Sequence, residues 1–408
     1  MQFYGRFVHI RGMALNMENN DITKQYDNRI KIIKRLRVLF GFLLLSLVFT
    51  LFFVYRSEID FAGITNVIGM IDTGVSSTSS TGEISFDQNP LNRFTYYNGG
   101  LAVLSSDGFD TYSLFGKQKF SHVMKTSAPA LVSSDDYVIA YEHGGYGFTV
   151  FNSYGKVFEN PEPLESPIIN ISINSSGYFA VVTGEVSYKG SVTVYDNRFN
   201  KIFKWFSAEK YVIDAAVSPD CKNLAVLCIS NLDSSAVSVF EAFNLSSNSD
   251  QASFSTQVPD TLLFKLNYKN NDRVLAIGDT RAITFNMAGK VINESVYDGM
   301  SITTFDTGLE DFSALVLNDK TTSSRSEIVL LNTSGQEIAR APVFENIIAL
   351  STHSRTLCVL TLDKILVFDK ELVEQNVLEN QVKARNLIMK NNAQIILIAD
   401  SKAYNINV

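Results

Sequence analysis

A hairpin pattern that recurs six times, an apolar strand that recurs every 36 to 50 residues, and one uncharged run near the N-terminus predict the fold class. The first two indicate an all-β chain folded as a β-propeller, with eight blades favoured and seven as the alternative. The third indicates one transmembrane helix ahead of it. The clearest hairpin is FTVFNSYGKVF at 148–158, where alternating β-formers flank a polar turn ending in Gly155. It returns as ITFNMAGKVI from Ile283 and VLLNTSGQEI from Val329, and more loosely from Asp110, Thr193 and Leu366. One hairpin cannot bury its own faces, so a chain that repeats it has to stack the copies.

In chain order, residues 1–37 form a tail expected on the cytoplasmic side, polar and without sustained periodicity over 1–28. Residues 38–55 carry the helix: VLFGFLLLSLVFTLFFV is 17 uncharged residues, close to the ~20 that cross a bilayer core. It exits into bulky FFVYRSEID instead of a small-residue cleavage site, so an uncleaved anchor fits better than a signal peptide. Lys31, Lys34, Arg35 and Arg37 crowd its N-terminal flank. The positive-inside bias then sends the C-terminal part across the membrane. Residues 56–82 are a juxtamembrane segment closing in the Ser/Thr/Gly linker DTGVSSTSSTG, flexible coil that reaches roughly 35–40 Å when stretched.

Residues 83–408 are the propeller. The apolar strands LAVLSS, YVIAYE, YFAVVTG, LAVLCIS, VLAIGD, ALVLND, LCVLTLD and IILIAD centre on Val103, Ile139, Val181, Val226, Ala276, Val316, Val359 and Leu397. That spacing is the period of four-stranded blades. In the third unit the strands fall at 168–173, 178–183, 191–196 and 201–206. The last unit, with strands near 385–389, 394–399 and 402–408, lacks an outermost strand, while 83–86 precedes the first blade without a partner. An open seam would expose strand edges, so 83–86 is expected to complete the last blade. Between second and third strands the connection is short at 278–281 and longer at 185–190, 231–235 and 318–326. Those longer loops offer Tyr188, Lys189, Asp233, Lys320 and Arg325 as candidate partner-binding residues, because loops carry function and tyrosine and arginine are enriched at hot spots.

No catalytic constellation emerges. His9, His122, His143 and His353 are scattered without metal-ligand spacing, so no metal and no cofactor are expected. Asp135 and Asp136 adjoin a turn and point to opposite faces. Gly144, Gly145 and Gly147 lack the Lys-Ser/Thr of a phosphate loop and read as tight passage into a strand. Cys228 and Cys358 lie in apolar strands and read as buried thiols, while Cys221 could pair with Cys228 across a short turn. Eight Lys/Arg stand against three Asp/Glu in 1–37, and 27 against 39 in the remainder. An acidic globular part is a poor nucleic-acid ligand.

The turn SPDCKNLAVL at 218–227 resembles the WD40-like blade turn, with Cys221 where glycine is usual. FNSYGKVF, FNMAGKVI and LNTSGQEI resemble the outer hairpin of quinoprotein-like propellers, but the tryptophan that usually follows is missing, and Trp205 is the chain's one tryptophan. The basic-flanked anchor, HVMKT from His122, YEHGGYGF from Tyr141 and YVIDAAVSPD from Tyr211 resemble an uncharacterised family of single-pass, membrane-anchored propellers of Gram-positive bacteria. Where members of that family carry an acidic-basic pair, this chain has Glu142 and His143. The resemblance implies topology and no activity. The expected function is a membrane-tethered extracytoplasmic binding or scaffolding module with a protein partner at the cell envelope. The alternatives are a transmembrane sensor and a propeller enzyme of quinoprotein-like or glycan-active type.

Overall fold

The computed structural model describes residues 40, 43, 46, 82–232, 235–247, 249–308, 312–319 and 326–408. The chain divides into two units, Met1–Ser77 and Thr78–Val408. Of the first, only Phe40, Leu43 and Ser46 are described, and they are helical. The expected membrane span thus lies almost wholly outside the described residues. Among those described, no helix is long and apolar enough to cross a membrane.

The second unit is all β. Eight four-stranded antiparallel sheets follow one another along the described chain, each ordered a-b-c-d from the innermost strand outward. This settles eight blades over seven. The third has strands Ile168–Ile173, Phe179–Thr183, Gly190–Tyr195 and Lys201–Ser207, within a residue of the boundaries read from sequence. The a–b and c–d turns open on one face of the ring, here the turn face. The b–c connections and the blade-to-blade crossovers open on the other, the crossover face.

The recurring hairpin is the c–d turn, and its geometry explains its residues. Asn286 N–H donates to the Lys290 carbonyl at 2.9 Å and Gly289 N–H to the Asn286 carbonyl at 3.0 Å. The Asn286 side-chain oxygen accepts from the N–H of Ala288 and Lys290 at 3.1 and 2.9 Å. This is a type I turn followed by a left-handed bulge residue. Gly289 fills the left-handed position at φ 73° and Gly335 at φ 78°, whereas blade 3 places Phe199 there at φ 67°. A bulky residue in that region is strained, and Phe199 is held by its rings' neighbours: Phe158 at 5.1 Å and Tyr137 at 5.6 Å. Cys221 likewise sits at φ 61°, the conformation a glycine would take in the blade 4 turn. All three cysteines are free, so Cys221 and Cys228 do not pair.

Each of the eight blade junctions encloses its own apolar cluster. Blades 3 and 4, for example, meet through Val182, Val194, Val226 and Phe243. Trp205 packs at that same junction, 4.9 Å from Phe243; no tryptophan girdle exists. What takes its place near the channel is polar. In blades 3 to 7 the innermost strand carries one extra residue near its start, a bulge that re-aims the next side chain. In blades 3, 4 and 5 that side chain is Asn170, Asp214 and Lys265. Asn170 Nδ2 donates to Asp214 Oδ1 at 2.5 Å, and Leu266 N–H donates to Asp214 Oδ2 at 2.8 Å. Lys265 Nζ lies 3.2 Å from the same oxygen. Asp214 is only 1% exposed, and a carboxylate so buried is tolerable because its oxygens are met by a cation and N–H donors.

Blade 8 closes as the sequence requires. Glu83–Ser85 pairs antiparallel with Lys402–Asn407 as its outermost strand, with Glu83 opposite Tyr404 and Ser85 opposite Lys402. Ile84 is 0% exposed and joins the cluster between blades 8 and 1. Gly82 and Gly116 allow the close approach: a Cβ on Gly82 would lie 1.8 Å from the Leu114 carbonyl oxygen. Deleting 83–88 should lower the thermal midpoint sharply, and Ile84→Ala should cost about 2–5 kcal/mol in denaturant titration, the cost of an emptied aliphatic site. Melting like the parent would refute the pairing.

Candidate binding surfaces

Among the described residues, two concavities and one exposed rim could hold a ligand. The first concavity, about 540 Å³, is the channel mouth on the turn face. It is ringed by turns of blades 2, 3, 4, 5 and 7, including Ser134, Asn174, Asn270, His353 and Lys269. Lys269 is buried and donates from Nζ to the Thr307 carbonyl, stapling blade 5 to blade 6. Burial pulls its amine down to about 8, against a smaller opposing pull from Asp306. Asp306 itself accepts from Thr352 N–H at 2.7 Å and joins blade 6 to blade 7.

The second concavity, about 470 Å³, lies between the 160–166 crossover and the sheet of blade 3. Phe158, Val181, Tyr195 and Phe199 form its apolar floor, and Glu162, Glu165, Glu185, Lys201 and Lys204 its charged walls. Glu185 accepts from Ser166 Oγ at 2.7 Å, Ser191 Oγ at 2.8 Å and Thr183 Oγ1 at 3.0 Å. Burial alone would raise its carboxyl, but those three hydroxyls and the Lys204 charge outweigh it and hold the group below the ordinary carboxylate range.

Beside this groove stands the rim of the b–c connection in blade 3. Tyr188 packs against Phe206 with ring centroids 4.9 Å apart and planes tilted by 34°. Lys189 Nζ lies 3.2 Å from the Tyr211 hydroxyl and 4.9 Å from its ring centre, and Lys204 sits 4.5 Å over the Phe206 ring. The structure thus gathers two sequence-predicted residues, Tyr188 and Lys189, with Phe206, Tyr211 and Lys204. The sequence reading missed these last three because they lie at strand ends and in an outer strand, not in a long loop. The 231–235 connection of blade 4 is not a long loop. Asn223–Leu232 and Ser235–Asn244 continue as paired strands up to Leu232 opposite Ser235. Asp233, Lys320 and Arg325 lie outside the described residues.

Glu142, His143 and the glycines after them take part in joining blades. Gly144 N–H donates to the Ile168 carbonyl at 2.8 Å and Ile168 N–H to the Gly145 carbonyl at 2.7 Å, so the motif joins blade 2 to the innermost strand of blade 3. Glu142 accepts from Ser127, whose hydroxyl and N–H hold the carboxyl below its ordinary range. Among the described residues no group of three or more His, Cys, Asp or Glu could hold a metal ion.

Fold and surfaces define a closed eight-bladed β-propeller that presents loops and grooves on a rigid ring. Residues 73–408 match a family of unknown function (DUF5711), and the chain belongs to that family. No curated protein sequence matches it. Among solved structures it is similar to BamB from Moraxella catarrhalis, at 11% identity and TM-score 0.50 over 82% of this chain and 99% of the other. It is also similar to the C-terminal WD40 domain of Sif2, at 11% identity and TM-score 0.56 over 80% of this chain and 99% of that domain. At such identity the likeness concerns the fold alone.

The Lys269 amine should titrate near pH 8 in lysine-selective NMR. Because its folded pKa lies below the unfolded value of 10.5, the folded state binds fewer protons between those limits, and stability should rise with pH across that window. Lys269→Met should abolish the rise; titration near 10.5 would contradict the buried placement.

Proposed function

We propose that the chain is a non-enzymatic binding propeller, tethered by residues 38–55 on the extracytoplasmic side of a membrane at the cell envelope, and that it takes a protein partner on the crossover face. The observation that carries this reading is the distribution of exposed apolar side chains. Val186, Tyr188 and Tyr211 are exposed together at the blade 3 rim of the crossover face, and a local apolar group of this kind marks an interaction surface where singly scattered residues would not. The same rim packs Tyr188 against Phe206 and adds Lys189 and Lys204, the residue pattern of an interface with a polar edge. Gly82, the first described residue of the propeller, lies on the opposite, turn face against the blade 1 hairpin. Polar groups along the channel support binding over catalysis, since Asp214 and Asp306 are engaged in joining blades.

Replacing Tyr188 and Lys189 by Ala should weaken recovery of a cross-linked partner roughly tenfold, as for loss of a hot spot, with an unchanged thermal midpoint. Recovery equal to the parent would move the site off this rim. Protease added to intact spheroplasts should degrade the propeller and leave a short N-terminal fragment, whereas full protection would place the propeller inside.

A further inference from the structure

The groove between blades 2 and 3 is held open by its own wall. The outermost strand of blade 2, Gly155–Glu159, has five residues, whereas that of blade 3, Lys201–Ser207, has seven. Past the shorter strand the groove is bordered by the 160–166 crossover instead of a sheet. Pro161 and Pro163 fix the backbone of that crossover. Asn160 clamps its start, where Oδ1 accepts from Phe148 N–H at 2.7 Å and Nδ2 donates to the Glu162 carbonyl at 2.7 Å. Leu164 N–H donates to the Tyr146 carbonyl at 2.7 Å, and Ser166 anchors the far end on Glu185. A concavity fixed in this way asks little reorganisation of itself when a ligand enters.

The charges around the groove are sorted by wall. Glu162 and Glu165 belong to the crossover, Lys201 and Lys204 to the outermost strand of blade 3, and all four are exposed and border the same space. Among the described residues none of the four forms an ion pair. Between the walls the floor is apolar, and its deepest members, Val181 and Tyr195, are only 1% and 2% exposed. We infer that this groove binds an extended peptide segment that carries an apolar side chain between an acidic and a basic residue. The apolar side chain covers the floor, the acid meets the lysines and the base meets the glutamates. Charge complementarity selects this occupant. A nucleic acid would bring phosphates against Glu162, Glu165 and Glu185, and an uncharged ligand would leave both walls unmatched. Exposed ion pairs contribute little each, so the floor supplies most of the affinity and the walls set the direction of the segment. This site lies beyond the rim of blade 3 and requires neither that rim nor the tether.

The test uses the full chain in detergent micelles, with NMR signals from labelled methyl groups of Val181 and Leu164 reporting on the groove and of Val186 on the rim. The probes are acetyl-Glu-Phe-Lys-amide, acetyl-Lys-Phe-Glu-amide and the neutral acetyl-Gln-Phe-Gln-amide. One charged order should shift Val181 and Leu164 saturably, leave Val186 unmoved, and bind about fivefold more tightly than the other order or the neutral peptide. Alanine in place of the phenylalanine should weaken the better peptide about tenfold or more. Lys201→Glu combined with Glu165→Lys mixes the charges on both walls and should erase the preference between the two orders. No saturable shift at Val181 and Leu164, equal binding of all three peptides, or a preference untouched by that double variant would overturn the inference. Shifts at Val186 alone would also overturn it and leave the rim reading standing. Parent-like partner recovery after Tyr188→Ala and Lys189→Ala, with the groove still responding to peptide, would instead overturn the rim alone.

Discussion

The ring depends on three residues. Blade 8 contributes three strands from the C-terminal end of the propeller and takes its fourth, Glu83–Ser85, from the other end. Without that strand the backbone edge of Lys402–Asn407 would be unpaired and Ile84 would leave a vacancy between blades 8 and 1. Unpaired edges and emptied aliphatic sites are both costly. The strand is short, so its hold comes from one buried side chain, the ladder and an outer pair between Glu83 and Lys402 at 2.5 Å. Every other junction is continuous in sequence through a crossover, whereas this one is made by noncovalent contact between distant parts of the chain.

Much of this architecture was legible because it is periodic. The blade count follows from the apolar second strands, and the closing strand follows from a deficit at one end and a surplus at the other. The links between blades were not legible. Asn170 and Asp214 are 44 residues apart, and they meet because a bulge in each innermost strand turns them into the same register, which no local pattern announces. YEHGGYGF reads locally as a tight passage into a strand, while its glycines also zip blade 2 to blade 3. YVIDAAVSPD similarly supplies Asp214. Two of the motifs that carry the family likeness are thus explained by ring construction. In blade 4, the polar stretch around Asn231 looks like a loop, but cross-strand pairing extends the hairpin through it. Of the candidate rim, Tyr188 and Lys189 were visible as a long connection, whereas Phe206 and Tyr211 become neighbours only when the crossover brings strand ends together.

The ring separates two roles by face. Blade-to-blade polar links gather around the channel, where Asp214, Lys269 and Asp306 are tied to neighbouring blades. Exposed aromatics and aliphatics, among them Val186, Tyr188 and Tyr211, stand at the blade 3 rim of the crossover face. A ring of paired strands that presents loops on both faces suits recognition, since loops can vary while the strands hold their places.

The closed ring is tested most directly by native-state hydrogen exchange at the seam. If Glu83–Ser85 is an integral strand, amides of Lys402–Asn407 that pair with it should exchange only through global unfolding, with the same free energy as amides of Tyr211–Val217 in blade 4. Exchange of the blade 8 amides at much lower free energy, while blade 4 remains protected, would show that the seam opens by itself and would contradict the closed ring.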